Sequence, residues 1–239
     1  MLRSFATVLL GTLIVTASAQ AQTPTHFYNL SNSLADGNGG PALGSDGGAL
    51  SASGYTFGQN QGLNLAGVFS SGASYSIAIQ SYFTNVGGYV KIVDFKDRAS
   101  DNGYYDISGA GQLYPTPAAG GGAYAANTLA FTVLTRDASA QLFSFYVNGT
   151  LLSQVSDAPG FGDFSAGGLA RFFEDDFVTG QNESAAGFVN YIATYDTALT
   201  GSEVANLSVV TATPEPASAA LLATGLIGLV GVARRRKQA

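Results

Sequence analysis

The sequence predicts an all-β body, a two-sheet antiparallel sandwich, lying between two apolar terminal segments. Three observations carry that expectation. Ten or so short runs alternate apolar with polar residues and are separated by Gly, Asn, Asp and Ser clusters, the pattern of half-buried strands joined by turns. Asn148-Gly149 stands between two such runs, and both residues tolerate the φ > 0 of a type I′ hairpin turn. No long segment of the body repeats its apolar residues with a helical period.

Taken in order, Tyr28 begins the body and Asn32 to Gly48 reads as a polar, glycine-rich loop. Tyr55-Thr56-Phe57 and Leu63-Asn64-Leu65 alternate with period two. Tyr75 to Phe83 is the clearest strand, with Tyr75, Ile77, Ile79 and Ser81 on one face. Val90 to Phe95 follows Gly87-Gly88, and Tyr104 to Ile107 and Gln112 to Tyr114 are weaker strands. Pro115 to Ala126 is mostly Pro, Gly and Ala and reads as a mobile loop. Leu129 to Thr135, Gln141 to Val147 and Thr150 to Val155 form a consecutive set, turning at Arg136-Asp137-Ala138-Ser139 and at Asn148-Gly149. Leu169 to Phe173 and Gly187 to Tyr195 complete the strands. Ser202 to Leu207 has room for one or two helical turns, capped by Thr200 or Ser202.

The two ends of the chain carry an address. Met1-Leu2-Arg3 is a short positive start, Ser4 to Ala19 is uncharged, and small residues before Gln22 fit cleavage after Ala21. Residues 1–21 therefore read as a signal peptide. At the other end, Pro214-Glu215-Pro216 precedes an uncharged stretch, Ala217 to Ala233, and then Arg234-Arg235-Arg236-Lys237. As a helix that stretch would span roughly 26 Å, slightly less than the ~30 Å hydrocarbon core. The cations beyond it belong on the cytoplasmic side.

Proline–glutamate–proline, a short apolar span and an arginine cluster, in that order, resemble the PEP-CTERM sorting signal of Gram-negative bacteria. The resemblance implies that an exosortase recognises the tail, cuts near Pro214, Glu215 and Pro216, and releases the body to the cell surface or extracellular matrix. It divides the chain into a signal peptide (1–21), a domain (26–209), a linker (210–216), a transmembrane helix (217–233) that holds the protein in the inner membrane before processing, and a basic cytoplasmic tail (234–239).

Between Ser4 and Ala233 there are five basic and sixteen acidic residues. Such a surface argues against nucleic acid or anionic lipid as a partner and suits calcium or neutral glycans. With no cysteine there are no disulfides or thiolate sites, so core packing holds the fold. His26 is the single histidine and reads as an exposed N-terminal residue, which makes a catalytic triad or a zinc centre improbable.

A second resemblance covers most of the body. Lys91-Ile92-Val93-Asp94-Phe95, Thr135-Arg136-Asp137, Tyr146-Val147-Asn148-Gly149 and Phe172-Phe173-Glu174-Asp175-Asp176 occur in order. Gly187-Phe188-Val189 then leads to Tyr195-Asp196-Thr197-Ala198-Leu199-Thr200. The series is similar to laminin-G-like, concanavalin A-like jelly rolls. It implies a jelly roll whose relatives bind glycans or proteins, often with calcium, or hydrolyse glycans.

Hydrolysis would need two carboxylates about 5–5.5 Å apart for a retaining enzyme. Glu174 and Asp176 would share a face if their strand continued. The resembled hydrolases carry Glu-x-Asp-x-x-Glu, and here Phe177-Val178-Thr179 follows without the third carboxylate. The expectation is a non-enzyme. Calcium takes six to eight oxygen ligands, and two acidic groups could supply them: Asp94, Asp97 and Asp101 with Asn102 and Asp106, and Asp175 and Asp176 with Glu183. The same residues also read as solubilising loop charge. Tyr104, Tyr105 and Tyr114 lie in loop-like sequence and are candidate glycan-binding faces, with core or rim packing as the alternative. The expected partners are an exosortase, an exopolysaccharide or other glycan, and the membrane through the terminal helix.

Overall fold

The computed structural model describes residues 22–212, with the backbone alone for 208–212. The strands in chain order are β1 (His26–Asn29), β2 (Gly44–Asp46), β3 (Ala49–Ser51), β4 (Gly54–Phe57), β5 (Gly62–Leu65), β6 (Tyr75–Phe83) and β7 (Tyr89–Asp94). They continue with β8 (Gly103–Ile107), β9 (Ala110–Leu113), β10 (Ala130–Asp137), β11 (Leu142–Val147), β12 (Thr150–Ser156), β13 (Ala170–Phe172) and β14 (Gly187–Tyr195). One helix, α1 (Gly201–Ala212), closes the described chain.

The strands form two antiparallel sheets stacked as a sandwich. The first runs β12-β11-β10-β6-β14-β4-β3, with β1 beside β14, and the second runs β2-β5-β13-β7-β8-β9. The core lies between them. Tyr75, Ile77 and Ile79 of β6 point into it, as their alternation predicts, against Val90, Ile92 and Phe95 from the other sheet. Aromatic rings fill much of the space. Phe57 stacks on Phe173 with centroids 4.3 Å apart, and Phe69 on Phe164 at 4.2 Å.

The outer face of the first sheet is apolar as well, and α1 covers it. Val204 and Leu207, one helical turn apart, pack on Phe131, Val133, Tyr146 and Tyr195. Thr200 is the N-cap: its Oγ1 accepts the Glu203 N–H at 3.4 Å, and Glu203 Oε2 accepts the Thr200 N–H at 2.8 Å, a capping box. The helix runs on to Ala212, past the one or two turns expected, so the first residues of the expected linker, 210–212, are helical. Burial of Val204 and Leu207 against the sheet stabilises the helix as its local sequence alone would not.

Several expectations hold in detail. Asn148 and Gly149 have φ of 50° and 78°, and Val147 pairs with Thr150 across the turn. Asn148 adds a clamp to β10: its N–H donates to the Phe131 carbonyl at 2.8 Å, and its Oδ1 accepts the Phe131 N–H at 3.0 Å.

Other expectations need correction. The Asn32 to Gly48 loop contains β2, which pairs with β5 through Ser45 and Leu63. Pro115 to Ala126 is anchored where a mobile loop was expected. Gly111 and Ala119 exchange backbone hydrogen bonds of 2.8 and 2.9 Å, and buried Tyr124 bonds to Tyr104 and Thr132 through its hydroxyl. The low side-chain content of this segment hid the one residue that pins it. His26 is held as well, since its Nδ1 lies 2.6 Å from the buried Asp36 Oδ2. The signal peptide (1–21) and the membrane span (217–233) lie outside the described residues. Among the described residues no helix is long and apolar enough to cross a membrane.

Candidate functional site

Apart from Tyr104 and Asp106, the candidate residues of the body gather about the second sheet, on the face turned away from the core. Neighbouring strands place Arg171 opposite Asp94 and Lys91 opposite Tyr105. A bulge in β7 shifts the register between Lys91 and Val93, so Asp94, three residues after Lys91, meets it on the same face. The segment after β13 then folds over both.

At the centre is an ammonium group. Lys91 is fully buried, and its Nζ lies 2.5 Å from Asp176 Oδ2, 3.3 Å from Asp94 Oδ2 and 3.5 Å from Asp175 Oδ1. The Tyr105 ring sits beneath it, 4.9 Å to the centroid. The remaining carboxylate oxygens hold backbone. Asp94 Oδ1 accepts the N–H groups of Lys96 and Arg98, and Asp176 Oδ1 those of Val178 and Thr179. Asp175 accepts from Asp176 and Glu183. Burial opposes ionisation of Asp176, but bonds from Lys91 and Thr179 outweigh it and lower its pKa. At Asp94 burial prevails over similar bonds, and its pKa is raised.

Arginines tie down the flanks. Arg171 donates to Asp97 (2.6 Å), Asp46 (2.8 Å) and Glu174 (3.1 Å), and Arg98 donates to Glu174 (3.2 Å) and the Asp175 carbonyl (2.6 Å). Glu174 is buried among them. Desolvation, reinforced by the Asp46 charge, pushes its pKa up to about 7.

Toward solvent lies a second group. Asp101, Asp176 and Glu183 each present a carboxylate oxygen within 4.8 Å of the others, a donor set that could hold a metal ion. Asp101 Oδ1 accepts the Tyr105 hydroxyl at 2.6 Å. Burial and then the Asp101 charge push Glu183 up to about 7, and burial raises Asp101 too. Beside them Tyr89, Tyr105 and Tyr114 meet edge to face, with centroids 5.9 to 6.5 Å apart.

This arrangement redistributes the candidates. Among the expected calcium ligands, Asp94, Asp175 and Asp176 converge on a cation, but that cation is the ammonium of Lys91. Asp97 turns away to Arg171. Asp101 joins Asp176 and Glu183, so the structure brings together one member of the first expected acidic group and two of the second. Asp106 is on the opposite face of β8, buried in the core. Tyr104 is also a core residue, its ring against Phe145 and its hydroxyl 3.1 Å from that of Tyr124, which removes it as a ligand contact. Tyr105 is closed to solvent by Asp101 and Lys91, whereas Tyr114 is partly exposed. Tyr89, 37 % exposed, was missed.

The expected hydrolytic pair also changes. β13 stops at Phe172 and Phe173 has φ of 70°, so Glu174 and Asp176 are not on a continuing strand. Both are fully buried and bound to cations.

Residues 212–237 match the PEP-CTERM protein-sorting motif. The chain carries this sorting signal. The motif supports an exported protein, processed by an exosortase and sorted to the cell surface. No curated protein sequence matches the chain.

Solved structures match the sandwich. Trypanosoma rangeli sialidase in complex with 2,3-difluorosialic acid aligns at 14 % identity with a TM-score of 0.62, over 85 % of this chain and 35 % of that one. The chain thus spans about a third of the sialidase's length. Domain 4 of AbnA, an extracellular arabinanase from Geobacillus stearothermophilus, in complex with arabinotriose, aligns at 18 % identity with a TM-score of 0.58, over 79 % of this chain and 100 % of that domain. The botulinum neurotoxin serotype D binding domain aligns at 11 % identity and 0.58, over 78 % of this chain and 51 % of that one. These likenesses establish the fold, a β-sandwich compatible with the expected jelly roll.

Proposed function

We propose that this PEP-CTERM-sorted protein is a non-catalytic polysaccharide-binding component of the cell surface or extracellular matrix, with a laminin-G-like sandwich as its binding domain. The observation that carries the reading is the pairing of an exposed aromatic edge, Tyr89 and Tyr114, with the carboxylates of Asp101, Asp176 and Glu183. The faces of such rings can pack on the C–H groups of sugar rings. Three carboxylates leave calcium several open positions of its six to eight, which sugar hydroxyls can fill. The match along the whole of an arabinanase domain solved with arabinotriose is in keeping with it. A non-catalytic role is supported by Glu174 and Asp176, which are fully buried, with Glu174 Oε2 held by Arg98 and Arg171 and Asp176 Oδ2 by Lys91.

Isothermal titration of the full chain with a panel of bacterial exopolysaccharides and arabinotriose, in millimolar calcium and again in EDTA, tests the proposal. Binding in calcium, reduced at least tenfold by EDTA and by Tyr89→Ala with Tyr114→Ala, is the expected result. Absence of binding, or binding indifferent to both changes, would overturn it.

One observation favours a second reading, glycan hydrolysis. Glu183, with a pKa of about 7, lies within 4.8 Å of Asp176, which is held ionised. Carboxyls with separated pKa values are the signature of an acid and its ionised partner. Release of reducing ends that disappears in Glu183→Gln would establish this activity at the expense of the first reading.

A further inference from the structure

The outer face of the first sheet has a cleft that the acidic face does not share. It measures about 530 Å³ and lies where β1, β14 and β6 run side by side. Strand register builds its floor, since Asn29 pairs with Tyr191 and Tyr191 with Gln80, a single row across three strands. A bulge in β14 between Val189 and Tyr191 inserts Asn190 beside that row. Bulges re-aim side chains, and here the extra residue lines the cleft. The Asn190 carbonyl accepts the Leu30 N–H at 3.1 Å, which fixes the backbone. Its side-chain Oδ1 is shielded from solvent and has no hydrogen-bond partner among the described residues. A buried acceptor left unpaired is costly, on the order of 1–3 kcal/mol. Such a group is poised to receive a donor.

The remaining wall is aromatic. Phe27 and Tyr191 meet with centroids 5.6 Å apart and rings inclined by 56°. No Asp, Glu, Lys, Arg or His lines the cleft. Amides that donate and accept equally, ring faces beside them and no formal charge together match a ligand with hydroxyl groups, apolar C–H faces and no ionised group.

We propose that this cleft is a second binding site, for an uncharged sugar unit, and that it works without a cation. Asn29, Gln80 and Asn190 bond the sugar hydroxyls, the Asn190 amide turning to bring its shielded Oδ1 to a donor. Tyr191 and Phe27 pack on its C–H face. The volume takes one or two sugar rings and falls within the roughly 300–1,000 Å³ of small-ligand pockets. The site does not rest on the reading of the acidic face, since it has no carboxylate and is on the other sheet.

EDTA separates the two sites. The full chain is titrated in EDTA with arabinotriose, maltotetraose and cellotetraose, and with an oligogalacturonate as the charged counterpart. Binding is read from side-chain amide shifts in NMR spectra. The expected result is binding of at least one neutral probe, shifts at Asn29, Gln80 and Asn190, and a loss of at least fivefold in both Gln80→Ala and Asn190→Ala. Gln80→Ala serves where the bulge variant fails to fold, because Gln80 sits in the regular ladder of β6, opposite Tyr191 and Phe131 and outside the bulge. Three outcomes would each refute the site: no neutral probe bound, binding unaffected by Gln80→Ala, or equal affinity for the oligogalacturonate.

Discussion

Lys91 Nζ lies 2.5 Å from Asp176 Oδ2, and both side chains are closed to solvent. The pair joins β7 to the segment after β13, beside the backbone bonds from the Phe173 N–H to Ile92 and from the Lys91 N–H to Glu183. Removing one member of a buried ion pair strands the other, at a cost of about 3–5 kcal/mol. Lys91→Met would leave Asp94, Asp175 and Asp176 without their common cation and is expected to cost at least that much in urea unfolding. Lys91→Met with Asp176→Asn should recover part of it. A loss below ~1 kcal/mol in the single variant would show that the cluster behaves as a surface ion pair.

Glu183 gives the acidic face a pH dependence. With its folded pKa near 7, above the ordinary 4.5, the native state retains a proton that the unfolded chain has released between those values. The stability it contributes is full below about pH 4.5 and falls as pH rises through 7. Glu183→Gln should therefore melt higher than the parent at pH 8 and equally at pH 4. Screening of a partly exposed group limits the gain to roughly 1 kcal/mol, or about 2–4 °C in a domain of this size. If calcium binds at Asp101, Asp176 and Glu183, millimolar calcium should raise the parent's melting point at pH 8 and leave Glu183→Gln nearly unmoved.

Asp36 works in the opposite direction. Burial would raise its pKa, but bonds from the Phe27 and Asn38 N–H groups, His26 and the Gly40 N–H outweigh it and lower the value to about 2. Its contribution is present above the unfolded value of 3.8 and is lost as pH falls toward 2. Asp36→Asn should flatten the acid limb of a melting-temperature profile between those limits. An unchanged limb would mean other carboxylates control acid unfolding.

The Asn148 turn offers a prediction at the backbone. Asn148→Ala loses both the residue's tolerance for φ of 50° and its side-chain bond to the Phe131 N–H. A cost of about 1–3 kcal/mol is expected. Asn148→Asp keeps an acceptor oxygen and a tolerance for this φ and should cost less than half of that. Chemical denaturation of the two variants side by side decides it.

The hairpin, the alternation of β6 and the cap at Thr200 were legible because each depends on residues close in sequence. Their physics is local. The acidic site was half legible. Asp101, Asp175, Asp176 and Glu183 announced themselves as loop carboxylates, but the cation they answer was overlooked. Lys91 stands among Val90, Ile92 and Val93 as the one cation in an apolar strand, and in so acidic a body that was the signal of a buried pair. Tyr104 and Tyr105 illustrate the limit of composition. Adjacent on one strand, they face opposite sides of the sheet, and only the register with Leu113 and Gln112 says which side is core. The cleft with Asn190 was not legible at all, since a bulge is a property of strand pairing.

The last turn of α1 and the sorting motif meet at residue 212, so no spacer separates the folded domain from the segment the exosortase reads. The helix covers the outer face of the first sheet, and the acidic residues lie on the outer face of the second, so α1 and the acidic face are on opposite sides of the sandwich. If the acidic face binds a polysaccharide as proposed, capture and processing need not follow one another in a set order.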